Sequence, residues 1–169
     1  MKRILLACII LILSSCSYKF NGASIPLELK TVEVPVFENL APLVDPTLSN
    51  TLTEAFMTRI RTQSKLNISK NGAQAKFEGK ITDYDIRPIA IQDNTKPVAG
   101  ATRLTITVSV TYTINVKGSE KQGFENKIFT AFTDFQAGQP LAGAYQQSLN
   151  KKIIDQLTEN IFNAAFAQW

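Results

Sequence analysis

Leu104-Thr105-Ile106-Thr107-Val108-Ser109-Val110-Thr111-Tyr112-Thr113-Ile114-Asn115-Val116 is the stretch that decides the fold of this chain. Leu104, Ile106, Val108, Val110, Tyr112, Ile114 and Val116 alternate without a break with Thr, Ser and Asn. Successive side chains of a strand point to opposite sides, so an apolar period of two over this length predicts a long antiparallel strand with one buried face. The other face is rich in hydroxyls and carries no charge.

The flanking segments read as its neighbours in a sheet. Upstream, Ala75, Phe77, Gly79 and Ile81 share one parity, and Tyr84 and Ile86 share the other. A strand changes parity only through an inserted residue, so a β-bulge is expected near Thr82-Asp83. Arg87-Pro88 is expected to end regular pairing, leaving Ile89 to Ala101 as a loop with Asp93-Asn94, Pro97 and Gly100. Downstream, Lys117-Gly118-Ser119 and Gly123 bound a turn before a strand from Phe124 to Phe135. There Ile128, Phe129, Ala131 and Phe132 are apolar on both parities, so one face meets the core and the other a second element or a partner.

Further out, Leu66 to Ser69 precedes Asn71-Gly72, a type I′ hairpin signal. Leu29 to Phe37 reads as a strand that Pro35 confines to an edge or a bulge. Asp45-Pro46 reads as N-cap and first residue of a helix, with Leu48, Leu52, Ala55, Phe56 and Ile60 as its apolar stripe. Arg59, Arg61 and Lys65 crowd its last turns, where cations complement the helix dipole. After Gly138 and Pro140, Leu141, Tyr145, Leu149, Ile153, Leu157 and Ile161 mark a second helix. Phe162, Phe166 and Trp169 fall well around that helix from its stripe. With Phe129 they are the candidates for a partner-facing patch, the alternative for the tail being that it bends and buries its aromatics locally. The order β-α-β-β-β-α gives an α+β fold: two amphipathic helices on one face of a four- to five-stranded mixed, mostly antiparallel sheet.

The chemistry is narrow. In 169 residues there are 18 Lys+Arg, 14 Asp+Glu, no His and 2 Cys. Without histidine there is no His-based zinc site, no Ser-His-Asp triad and no imidazole switch. Lys2 and Arg3 precede the unbroken apolar run Ile4 to Leu13, too short to span a bilayer and of the length of a secretory h-region. Leu13-Ser14-Ser15-Cys16 then resembles a bacterial lipobox, in which Cys16 is lipidated and becomes the mature N-terminus. The expected organisation is a signal peptide over 1–15, a lipidated N-terminus and short tether over 16–26, and one domain over 27–169. Removing 15 of 169 residues leaves 154, and losing Lys2 and Arg3 leaves 16 basic against 14 acidic residues. Cys8 leaves with the signal, so no free thiol remains. So small an excess does not suit a nucleic-acid binder. Two acyl chains suffice for a stable anchor. Ser17 follows the cysteine where an inner-membrane retention signal would place aspartate, so the outer membrane, facing the periplasm, is expected.

Catalysis finds little support. Ser148-Leu149-Asn150-Lys151 has the Ser-x-x-Lys spacing of penicillin-recognising enzymes but lacks their Ser-Asp-Asn and Lys-Thr-Gly elements. Asp83 and Asp85 share a strand face and read as solvated. No phosphate loop, metal-ligand spacing or Gly-x-Ser-x-Gly is present. A non-enzyme without cofactor is expected.

Several short matches point to one family. They are Cys16-Ser17-Tyr18-Lys19-Phe20, Gly22 to Pro26, Lys30-Thr31-Val32, Pro35-Val36-Phe37-Glu38-Asn39, Leu52-Thr53-Glu54-Ala55, Phe77 to Ile81 with Tyr84, and Arg103 to Val108. On these the sequence resembles the lipopolysaccharide-assembly lipoproteins of the LptE family, in the branch opening Cys-x-Tyr-x-Phe. The resemblance implies two helices on a mixed four-stranded sheet. It also implies a one-to-one complex in which the protein plugs the lumen of the LptD β-barrel, helps it assemble, and binds and passes on lipopolysaccharide. A phosphorylated head group needs Lys and Arg. The candidates are Lys96 and Arg103 beside one loop, and Lys117, Lys121 and Lys127 around the opposite turn. The competing reading is an accessory lipoprotein that activates a periplasmic cell-wall synthase. The short tether speaks against that reading, because such activators often need a long one to cross the periplasm.

Overall fold

The computed structural model describes residues 25–43, 45–91 and 98–167. Cys16, Lys96 and Trp169 lie outside them. In chain order the elements are β1 (Thr31–Glu33), β2 (Glu38–Asn39), α1 (Leu48–Gln63), β3 (Asn67–Ile68), β4 (Ala75–Ile91), β5 (Val98–Ile114), β6 (Phe124–Gln136) and α2 (Gly143–Phe166). Six strands form one mixed sheet in the order β3-β1-β4-β5-β6, with β2 also paired to β4. β4, β5 and β6 are antiparallel, while β1 and β2 run parallel to β4 and β3 parallel to β1. The α+β fold expected from periodicity holds, with one or two more strands than expected.

The additional strands come from Pro35. Glu33 is paired with Lys76 and Glu38 with Lys80, five steps on one chain against four on the other. Proline cannot donate to the ladder, so the segment swells there and the single expected strand becomes β1 and β2. The swelling carries Phe37 over Gly79, where a Cβ would stand about 2.5 Å from the ring. Phe37 is fully buried, and its amide donates to the buried Thr53 Oγ1 of α1 at 3.0 Å.

Two turn readings need correcting. Gly72 does take positive φ, +64°, yet β3 and β4 form no hairpin, because β1 lies between them. The Asn71-Gly72 turn instead carries the chain across the end of β1. Pro88 does not end the pairing either: it faces Thr102, and β4 runs on to Ile91. Among the described residues no strand flanks the outer edge of β4 beyond Ile81, and a free edge tolerates a residue without an amide proton. The bulge in β4 falls where parity demanded it, between Ile81 and Asp83.

Both helices cover the apolar face of the sheet. Phe77 is the hub of the core, stacked on Tyr112 at 4.2 Å between ring centroids and edge-on to Phe56 at 4.9 Å and Phe166 at 5.9 Å. On α2 the expected stripe Leu149, Ile153, Leu157 and Ile161 is buried, and so are Ile154, Thr158, Phe162, Ala165 and Phe166. The wider stripe arises because α2 packs on the sheet and on α1 together. Arg59 of α1 bridges to it, through Nε to Thr158 Oγ1 at 3.1 Å and a terminal nitrogen to the Asp155 carbonyl at 3.0 Å. Arg59 therefore joins two helices rather than serving its own dipole.

Asp45 departs from its expected role as N-cap. The helix begins at Leu48 with Thr47 at the cap position. Asp45 Oδ1 accepts from the Thr47 amide at 2.9 Å and hydroxyl at 2.8 Å. Its other oxygen is held by Asn150 Nδ2 of α2 at 2.8 Å. The bulge in β4 turns Tyr84 inward to the same place, where its hydroxyl donates to Asn150 Oδ1 at 3.1 Å and accepts from Gln146 Nε2 at 3.2 Å.

Candidate functional site

The face of the sheet away from the helices carries the polar half of each alternation. Its rows run across β4, β5 and β6: Lys80, Ser109, Ile128; Asp83, Thr107, Thr130; Asp85, Thr105, Phe132; Arg87, Arg103, Asp134. The Thr107 and Thr130 hydroxyls lie 3.2 Å apart. Lys76 pairs with Glu78 at 2.8 Å and Arg87 with Asp85 at 2.6 Å. Asp83 and Asp85 share this face as expected, and Asp85 is occupied by Arg87.

A shallow groove of about 400 Å³ indents this face, lined by Pro35, Val36, Glu38, Lys80, Ser109, Thr111 and Asn126 among others. It exists because the sheet is irregular on both sides of β5. The Pro35 swelling raises one wall. On the other side, β6 carries an extra residue between the pairs Val110–Lys127 and Tyr112–Phe124. Asn126 takes φ +45° there, and its amide donates to Thr111 Oγ1 at 3.1 Å.

The candidate lipopolysaccharide-binding residues have different surroundings. Lys96 lies outside the described residues. Arg103 makes a two-pronged pair with Asp134, at 2.7 and 2.9 Å, and lies 3.8 Å from the centre of the Phe132 ring. The Asp134 carboxylate raises the Arg103 pKa, and the guanidinium lowers that of Asp134. Arg103 is thus already matched. Lys127 is exposed, with its ammonium 5.3 and 5.8 Å from the ring centres of Phe124 and Phe129. Lys117 and Lys121 are exposed at the far turn, with no ion pair among the described residues.

The aromatic candidates are corrected. Phe129, Phe162 and Phe166 are buried, at 7%, 5% and 1% exposure. Phe129 faces the core because its register partner Val108 does. Phe166 packs edge-on against Phe77 and Tyr112 of the sheet, and Phe162 lies beside it with ring centres 5.0 Å apart. The exposed apolar residues of β6 are Ile128 and Phe132, on the other parity. The both-parity pattern of β6 predicted an outward apolar face, but not which of its residues form it. Ser148 and Lys151 do not pair: the hydroxyl donates to the Tyr145 carbonyl at 2.7 Å and the ammonium to Asp155 at 2.8 Å.

Two helices on one face of a mixed sheet is the architecture the family resemblance implied, here with six strands rather than four. Residues 29–165 match the family LptE, described as lipopolysaccharide-assembly. The chain belongs to the LptE family. The match spans every element from β1 to nearly the end of α2. No curated protein matches the chain in sequence. Solved structures similar to it include a hypothetical protein of Chlamydia trachomatis, 8% identical, covering 83% of this chain and 99% of that one at a TM-score of 0.50. A minor lipoprotein of Acinetobacter baumannii is 14% identical over 79% of this chain and 90% of its own, at 0.48. Uncharacterized lipoprotein B of Nitrosomonas europaea is 16% identical over 87% and 88%, at 0.47. At such identities likeness speaks only of fold. Function is argued from LptE membership and from the sheet face.

Proposed function

We propose that this LptE-family chain is a lipoprotein of the outer membrane, held by acylated Cys16 and facing the periplasm. It plugs the lumen of an LptD-type β-barrel in a one-to-one complex, assists that barrel's assembly and takes part in carrying lipopolysaccharide to the outer leaflet. The observation that carries this reading is the family match over residues 29–165. The sheet face supports it. Its charges are largely paired within the chain, and hydroxyls fill the centre. Such a face can lie against a polar barrel wall with only Lys80 and Asp83 of its rows lacking an ion pair among the described residues, and a buried unpaired charge would be costly. Ile128 and Phe132 offer apolar contact on the same face.

The role is to hold and guide, without catalysis. Depleting the protein in cells should strand lipopolysaccharide short of the surface, measured as loss of surface-accessible lipopolysaccharide at unchanged synthesis. Normal surface display after depletion would contradict the proposal.

A further inference from the structure

One end of the domain concentrates lysines. The Lys30 amide donates to Gln74 Oε1 at 2.7 Å, the Asn67 amide to the Lys30 carbonyl at 2.9 Å, and the Asn115 amide to the Gln74 carbonyl at 2.7 Å. These bonds gather the start of β1, the loop after α1, the Asn71-Gly72 turn and the turn after β5. On those segments Lys30, Lys65, Lys70, Lys117 and Lys121 are exposed. None makes a side-chain ion pair among the described residues. The acidic residues there are Glu28, Glu33, Glu120 and Glu125, and Glu120 is occupied by the Gly118 amide at 2.8 Å. Leu27, 84% exposed, stands at the same end.

This is also the end at which the chain enters the domain. Eight residues separate Cys16 from Ile25, nine steps with a reach of at most about 32 Å. The opposite end, at Gln136, is a 13-residue strand away, about 40 Å. A lipid on Cys16 therefore brings the lysine-rich end to the bilayer before any other part of the domain.

We infer that this end is a seat for the phosphate headgroups of the glycerophospholipid leaflet that holds the anchor, with Leu27 entering the headgroup zone. The inference rests on the reading of Cys16 as an acylated anchor. It assigns Lys117 and Lys121 to the leaflet rather than to lipopolysaccharide in transit. An acyl anchor and a basic patch act together on a membrane, and each lysine near an anionic surface changes partition roughly fivefold.

The test uses the full lipidated protein in vesicles of phosphatidylethanolamine and phosphatidylglycerol that carry a headgroup-bound quencher. Fluorophores are placed singly through Asn71→Cys, Asn115→Cys and Gln136→Cys. The first two should be quenched several-fold more than the third. About 0.5 M salt, or Lys65→Gln, Lys70→Gln, Lys117→Gln and Lys121→Gln together, should remove most of that difference. Lys151→Gln with Lys152→Gln on α2 should leave it unchanged, and thermal melts confirm that each variant is folded. Equal quenching at both ends, a difference that survives in the fourfold variant, or contact with lipopolysaccharide micelles but not with the vesicles would overturn the inference. The anchor is scored separately by the intact mass of the N-terminal peptide. If Cys16 carries no lipid, co-sedimentation of that chain with the same vesicles decides. Salt-sensitive binding lost in the fourfold variant supports the seat, and no binding refutes it.

Discussion

Tyr112 and Tyr84 are both placed by the sheet but satisfied differently. The Tyr112 hydroxyl is buried with no hydrogen-bond partner among the described residues, whereas that of Tyr84 bonds Asn150 and Gln146. An unmet buried hydroxyl is costly, so Tyr112→Phe should raise stability by about 1 kcal/mol. Tyr84→Phe should lower it by about 1–2 kcal/mol, because amide groups lose their partner. Urea midpoints of the two variants check both, and a marked loss in Tyr112→Phe would show that its hydroxyl is bonded. Burial raises the pKa of both phenols; at Tyr84 the Asp45 charge adds to it, and the Gln146 and Asn150 bonds offset part. Unfolded tyrosines ionise near pH 10, so above about pH 10 the unfolded chain releases protons that the folded one keeps. Stability should therefore fall as pH rises from about 10 towards the raised values, and less steeply once both residues are Phe. Only the inward turn of Tyr84 was legible in the sequence, through the parity break. Its partners were not, because Asn150 and Gln146 are 66 and 62 residues away.

At the level of elements, the Pro35 swelling, the bulge in β4 and the extra residue in β6 do the shaping. The Pro35 swelling makes β1 and β2 and lays Phe37 on Gly79. Gly79→Ala should destabilise the domain by about 1–3 kcal/mol, because the Phe37 ring cannot yield without disturbing Phe56 and Thr53. A thermal melt reads this directly, and a neutral result would mean that the ring moves freely. The parity of β5 and the bulge in β4 were readable because period two is a local property. The parallel placement of β3 beside β1 was not, since pairing of distant two- and three-residue strands leaves no periodic trace. The same limit explains the aromatic candidates. A residue well around a helix from one stripe looks outward until the sheet supplies its contact, as Phe77 and Tyr112 do for Phe166. On β6, Ile128→Thr with Phe132→Thr should change stability by less than about 1 kcal/mol, since both are exposed. The pair should weaken association with the barrel, measured by co-purification. Unchanged recovery would remove this strip from the interface.

For the molecule as a whole, fold class and family were legible in the sequence. They rest on periodicity, composition and short matched motifs. The candidate basic residues were legible only as positions. Arg103 was no freer than Lys117 until Asp134 was found beside it, and charge matching between strands is a property of register. What emerges is a two-faced domain: an apolar side sealed by helices, an open side on which three ion pairs match most of the charges, and unmatched lysines gathered where the chain enters. The account stands on partnership with a barrel in the same membrane. Affinity purification of the tagged, lipidated protein from detergent-solubilised envelopes tests it most directly. A large outer-membrane β-barrel recovered in equal amount is the result predicted. Recovery of a periplasmic cell-wall enzyme with no barrel would contradict it.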